Sequence, residues 1–122
     1  MKVIVTHASS FNFEKELYEP LRKAVEGTTY ELIFPHIWHE QNTSTKEFLK
    51  DADLVIGEVS YPSTGQGIEL GWADMLAVPL LFLRKHGAKS SSALKYLKGE
   101  YIDYQDQADL LQKLKTYLLA RK

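Results

Sequence analysis

Hydrophobic positions follow two rhythms that alternate along the chain. Val3-Ile4-Val5-Thr6 is a short β-branched run of the kind that forms a strand buried on both faces. Phe13, Leu17, Leu21 and Val25 then fall at steps of four, one stripe of a helix, and Gly27 supplies a left-handed stop beyond it. Tyr30 to Phe34 reads as a second strand closed by Pro35, and His36 to Thr43 lacks periodicity and reads as a loop. Thr45 to Lys50 predicts a short helix with Phe48 and Leu49 inward. Leu54-Val55-Ile56 makes a third strand and Leu80 to Leu83 a fourth, with a helix from Gly67 to Ala77 between them. Ser90 to Leu97 is a weaker helix and Tyr101-Ile102 a short edge strand. The last helix, Gln107 to Leu119, carries Leu110, Leu111, Leu114, Tyr117 and Leu118 on one face.

Strands that alternate with helices predict an α/β fold: a parallel sheet with helices on both faces and right-handed crossovers. Five strands suggest a doubly wound, flavodoxin-like or Rossmann-like three-layer sandwich in the order 2-1-3-4-5. Strands one and three then lie side by side, and their carboxyl ends open on a topological switch point where such sheets bind ligands. The segments that line it are Thr6 to Asn12 and Glu58 to Glu69. The 122 residues suit one domain spanning 1–122, with no repeat or low-complexity linker inside it.

Composition narrows the function classes. A net charge of −1 gives no reason to expect nucleic acid or an anionic membrane as partner. Arg84, Lys85, Lys89, Lys95 and Lys98 do gather in sequence; they read as a solvated surface or as counter-charge for one anionic ligand. With no cysteine there is no disulfide, thiolate catalyst or Cys-containing zinc site. No apolar run approaches the ~20 residues of a membrane span, and no signal-peptide pattern opens the chain. A cytoplasmic location is the expectation left by elimination.

The second switch-point segment runs Glu58-Val59-Ser60-Tyr61-Pro62-Ser63-Thr64-Gly65-Gln66-Gly67-Ile68-Glu69. Gly65 and Gly67 allow a sharp turn and a close approach of backbone to ligand. Ser60, Ser63 and Thr64 offer hydroxyls, and a helix start beyond Gly67 offers free amides, a combination suited to phosphate. The same residues also suit an ordinary strand-to-helix connection. Glu69 falls in the first turn of the helix so predicted. An acidic residue there is favoured by the helix dipole, worth about 0.3–1 kcal/mol, or can attack or stabilise an anomeric carbon. His7, at the end of the first strand, is placed for proton transfer or phosphate binding, or is simply an exposed strand end. His36, His39 and Glu40 have a spacing that can hold a metal but read more simply as surface residues. Tyr61 and Trp72 can stack on a base or pack between subunits.

The run Ala52-Asp53-Leu54-Val55-Ile56-Gly57-Glu58-Val59-Ser60-Tyr61-Pro62-Ser63-Thr64-Gly65-Gln66-Gly67-Ile68-Glu69-Leu70-Gly71-Trp72-Ala73, continuing through Pro79 to Leu83, resembles the signature of the nucleoside 2-deoxyribosyltransferase superfamily. Its nearest branch is the 2′-deoxynucleoside 5′-phosphate N-hydrolases. The resemblance implies that Glu69 is the nucleophile that attacks C1′ as the base leaves. It also implies that Ser63 holds the 5′-phosphate, and that Ser92 of a neighbouring subunit adds a second contact. Ser9, Ser60, Gly65 and Gly67 complete the expected substrate-binding set with His7. A homodimer or higher oligomer is implied, the ligand is a nucleoside or nucleotide, and neither metal nor cofactor is expected. The chain departs from the hydrolase pattern at Val5, where that branch carries Tyr, at Ala8 for Gly, and near Thr45 for an Asp; its loop arginine is absent. The expected activity is therefore N-glycosidase or deoxyribosyltransferase chemistry. The alternative is a non-catalytic nucleotide-binding or sensing protein with the same pocket, and a third reading is a purely structural domain in which Glu69 only serves its helix.

Overall fold

The computed structural model describes residues 1–35 and 45–121. Five strands form one parallel sheet in the order β2-β1-β3-β4-β5: β1 (Lys2–His7), β2 (Glu31–Ile33), β3 (Leu54–Glu58), β4 (Leu80–Lys85) and β5 (Glu100–Tyr104). The expected fold class and strand order are those observed, and β1 and β3 are neighbours, Val3 opposite Leu54 and His7 opposite Glu58. The β5 strand is longer than the expected Tyr101-Ile102, and it does close the sheet as an edge.

Side-chain alternation along the strands builds two cores. On one face Val3, Val5, Leu54, Ile56, Leu81, Leu83 and Ile102 pack against α1 (Glu19–Ala24) and the C-terminal helix α4 (Gln107–Ala120). On the other, Ile4, Val55, Leu80 and Phe82 meet α2 (Thr45–Leu49) and α3 (Thr64–Met75), through Leu49, Leu70 and Ala73. Asp106 caps α4 by accepting the Asp109 N–H at 2.8 Å, while Leu110, Leu114 and Leu118 form its buried stripe.

Two local departures have physical causes. The helix expected over 13–25 begins as a π-helical turn, Glu14–Tyr18, before α1. Pro20 has no N–H, and its ring would clash with the carbonyl four residues back, so a widened turn accommodates it. Gly27 then ends the segment at φ 73°, as its position suggested. The second departure concerns α3. It starts at Thr64, three residues ahead of the expected Gly67, so Glu69 lies in the second turn rather than the first.

Ser63 is the N-cap of α3, with φ −149° and ψ 128°, and its Oγ accepts the Gln66 N–H at 3.3 Å. Ser63-Thr64-Gly65-Gln66 is thus the Ser-x-x-Gln spacing of a capping box, a start signal that the glycines obscured. Gly65 and Gly67 are helical and turn nothing; neither has positive φ. A Cβ built at either would meet no atom within 4 Å.

Candidate active site

The carboxyl ends of β1 and β3 present the main-chain carbonyls of Thr6 and Glu58, and one side chain spans them. Gln66, 4% exposed, donates from Nε2 to Glu58 O at 2.7 Å, to Thr6 O at 3.2 Å and to Thr6 Oγ1 at 3.4 Å. Two carbonyl acceptors fix which end of the amide is nitrogen. Gly57 permits this closeness: a Cβ there would sit 3.1 Å from Leu70 Cδ2 and 3.3 Å from Thr6 Oγ1.

At about 100° per residue, Gln66, Leu70 and Ala73 make the buried face of α3, and its two flanks diverge. On the flank toward the segment after β4 lies a cavity of about 480 Å³, within the range of small-ligand sites. Ser63, Thr64 and Gly67 line it from the helix start, Tyr61 from the preceding loop, and Ser91 from across the gap. Glu69 is partly buried, falls by the same helical count on the other side of that face from Gly67, and does not line that cavity. Helical side chains lean toward the N-terminus, so its carboxylate lies over the turn nearer Ser63.

The other expected site residues are spread more widely. His7 alternates onto the α1 face with Val3 and Val5 and is 7% exposed. Its Nδ1 lies 2.7 Å from Ala8 O, which can only accept, so that nitrogen carries the proton. Nε2 lies 2.5 Å from the Tyr18 hydroxyl and in the neutral ring accepts from it. The ring stacks on Phe13 at 4.5 Å. Burial pushes the Tyr18 hydroxyl above its ordinary range. Ser60 is buried, and its Oγ accepts the Lys85 N–H at 2.7 Å. Ser9, Gly65 and Ser92 are exposed, and Ser91 rather than Ser92 reaches the cavity. The two loops of the switch point meet where Phe11 stacks on Tyr61 at 4.7 Å. Trp72 packs against the second core. His36, His39 and Glu40 lie outside the described residues, as does the expected loop they belong to. Among the described residues no group of three His, Cys, Asp or Glu side chains is placed to hold a metal. None of their helices is long and apolar enough to cross a membrane.

Of the basic residues, Arg84 is committed to Asp103 through bonds of 2.7 and 3.2 Å, and Lys85 Nζ lies 4.0 Å from Glu16.

The residue that composition did not single out is Glu58, fully buried at the end of β3. One carboxyl oxygen accepts the Ser60 N–H at 2.5 Å; the other pairs with the Tyr104 hydroxyl from β5. Burial holds its carboxyl above the usual carboxylate range, against the lowering effect of the hydrogen bonds from Ser60 and Tyr104. Burial also raises the Tyr104 hydroxyl, and the neighbouring Glu58 adds to the shift. The folded protein therefore keeps the Glu58 proton to higher pH than the unfolded chain. Between the ordinary value of 4.5 and the folded value, the native state binds more protons, so this group's contribution to stability falls as pH rises. Glu58→Gln removes that slope. In urea unfolding over a pH series, the stability of wild type relative to Glu58→Gln should decline as pH rises above the ordinary carboxylate range; a difference that is flat or grows with pH would contradict this assignment.

A stretch of 43 residues is 42% identical to a protein of Syntrophotalea carbinolica named as a candidate 2′-deoxynucleoside 5′-phosphate N-hydrolase; the match covers 35% of this chain. It spans only 30% of that relative's length. Over 93% of this chain and 98% of the other, the fold superposes on the structure of the Clostridium botulinum CMP N-glycosidase BcmB with TM-score 0.70 and 21% identity. A flavodoxin-like domain from Synechococcus superposes over 98% of this chain and 99% of its own, with TM-score 0.58 and 12% identity. No protein-family profile matches the chain. The N-hydrolase and the N-glycosidase both fall in the nucleoside 2-deoxyribosyltransferase-like superfamily, so the resemblance seen in the sequence is borne out.

Proposed function

We propose that the protein cleaves the N-glycosidic bond of a nucleoside 5′-monophosphate or a deoxynucleoside, with Glu69 as nucleophile. The observation that carries this reading is the placement of Glu69. It is a partly buried carboxylate in the second turn of α3, the helix that follows β3, in a fold shared along nearly its whole length with a nucleotide N-glycosidase. Ser63 lies six residues earlier, about 9 Å along the helix axis. Because the Glu69 side chain leans back over the preceding turn, the carboxylate and the helix start are separated by roughly the reach of a nucleotide's phosphate and sugar. Ser63 Oγ and the first-turn amides of Thr64 and Gly65 then receive the phosphate at the positive end of the helix. Attack at C1′ forms a glycosyl ester on Glu69 as the base leaves. Water, or a second base, then resolves the ester. This route draws on protein groups alone.

Base release from CMP, deoxynucleoside 5′-monophosphates and deoxynucleosides, followed by chromatography, tests the reading. Release by the wild type supports it. If no substrate yields free base while a nucleotide raises the melting temperature, the protein is a nucleotide binder instead, since a ligand specific to the native state must stabilise it.

The same reading carries a homodimer. It is supported by exposed apolar side chains on the outer face of α3 and at its C-cap, where Ile68, Met75 and Leu76 are 49%, 86% and 50% exposed. Residues 68 and 75 lie two turns apart on one side of the helix, and exposed apolar side chains so aligned are of the kind that self-associating chains cover. In light scattering after size exclusion, wild type should elute as a dimer and Met75→Glu as a monomer; a monomeric wild type would contradict the interface.

A further inference from the structure

We propose that Glu58 and Gln66 are positioning residues that clamp the β3–α3 loop, so that Ser63 and the start of α3 meet the nucleotide phosphate in a fixed geometry. This inference deepens the glycosidase reading and rests on it for its catalytic readout. The connection from Val59 to Ser63 is short, and its rim must face a ligand, yet both of its ends are tied down by buried polar groups. At the β3 end, Glu58 accepts the Ser60 N–H at 2.5 Å with one carboxyl oxygen and holds the Tyr104 hydroxyl with the other. The turn is fixed to β4 as well: Ser60 Oγ accepts the Lys85 N–H at 2.7 Å, and the Val59 N–H reaches Leu83 O at 2.8 Å. At the helix end, the Gln66 N–H closes the Ser63 cap. Its side-chain amide bonds the carbonyls of Glu58 and Thr6.

Four strands thus converge on one loop: β1 through Thr6, β3 through Glu58, β4 through Leu83 and Lys85, and β5 through Tyr104. Both positioning side chains are buried, although Gln66 borders the cavity beside Ser63. Glu58 is 0% exposed and Gln66 is 4% exposed. A buried carboxyl with no salt bridge among the described residues is costly to keep, and a Leu of similar volume would satisfy the core more simply. What Leu cannot supply is the acceptor pair that holds Ser60 and Tyr104. Gln66 has a parallel logic. In a capping box its side chain would turn back to the cap residue, whereas here it reaches across the switch point. Gly57 leaves the space through which it does so.

Three variants test the clamp: Glu58→Leu, which keeps the volume and removes the acceptors; Gln66→Leu, which removes the amide; and Glu58→Gln, which can still accept from Ser60 and donate to the Tyr104 oxygen. Amide hydrogen exchange is followed across the chain, together with KM and kcat for base release from CMP and dCMP. In Glu58→Leu and Gln66→Leu, exchange from Ser60 to Gln66 should quicken about tenfold while β2 and α4 keep their rates. The KM should rise about tenfold and kcat change by less than about twofold, since the loss is in ground-state phosphate binding. Glu58→Gln should restore both. Faster exchange spread evenly over the sheet and α4 would show a merely structural role and overturn the proposal, as would localised exchange with KM unmoved. If the wild type releases no base, the glycosidase reading fails by itself; the exchange pattern still decides whether Glu58 and Gln66 clamp the loop.

Discussion

Glu69→Gln should lower the rate of base release by at least about 10³-fold while leaving nucleotide affinity nearly unchanged, because in the proposed reaction it removes the attacking carboxylate. The amide has the same shape and retains hydrogen-bonding capacity, so the second turn of α3 keeps its packing. What it loses, in the proposed reaction, is the electron pair that would form the glycosyl ester and the charge that would stabilise an oxocarbenium-like transition state. Glu69→Asp is the sharper comparison. It keeps the charge but withdraws the carboxylate by one methylene, and a displacement on the order of 1 Å from the attack position costs about 10²-fold. The expected order is wild type, then Asp, then Gln, read as kcat from initial rates of base release. Equal rates for wild type and Gln would remove Glu69 from the chemistry.

The second large effect is on stability. Phe82→Ala should cost about 3–5 kcal/mol, out of a total for a domain of this size of about 5–15 kcal/mol. Phe82 sits in the middle of β4, fully buried, with Leu80 beside it in the core shared with α2 and α3. Its ring contacts Tyr101 of β5 at a centroid distance of 4.9 Å. The chain leaves room for it at Gly99, where a Cβ would fall 2.4 Å from the ring's Cε2. Truncation opens a cavity walled by sheet and helix backbone, which collapse poorly. Urea unfolding followed by circular dichroism should show the midpoint drop with the slope retained. A loss under about 1 kcal/mol would mean that the sheet face relaxes around the gap in a way that this packing does not suggest.

The fold was legible because its strands are short β-branched runs separated by helical stripes, and each run fell where a strand lies. Val3-Ile4-Val5 and Leu54-Val55-Ile56 are apolar on both faces, which is what two cores require. The start of α3 was less legible. Gly65 and Gly67 look like punctuation, yet the Ser63 cap and Gln66 three residues on outweigh them, and the helix absorbs both glycines. That shift moves Glu69 from a dipole position into the second turn, where helix-end electrostatics no longer account for an acid.

Glu58 was hidden for another reason. Read as part of a loop it resembles any surface acid. The period of two from Leu54 through Ile56 nevertheless carries it onto the α1 and α4 face. The same count from Val3 through Val5 turns His7 toward Tyr18, where its ring nitrogens are engaged by Ala8 and Tyr18. Tyr104, the partner of Glu58, follows Ile102 by the same step on β5. Strand alternation therefore contained the signal. What the sequence lacked was any sign that the hydrogen-bond needs of Glu58 would be met from β5, 46 residues away.

In the proposed reaction Glu69 forms a covalent bond to the sugar. This step is tested most directly by mixing the protein with CMP or dCMP, quenching in acid within the first turnovers, and mapping peptides by mass spectrometry. A sugar-phosphate adduct on the peptide carrying Glu69, absent from Glu69→Gln, is the expected result. Free base released with no adduct at any quench time, at a rate untouched by Glu69→Gln, would contradict the account.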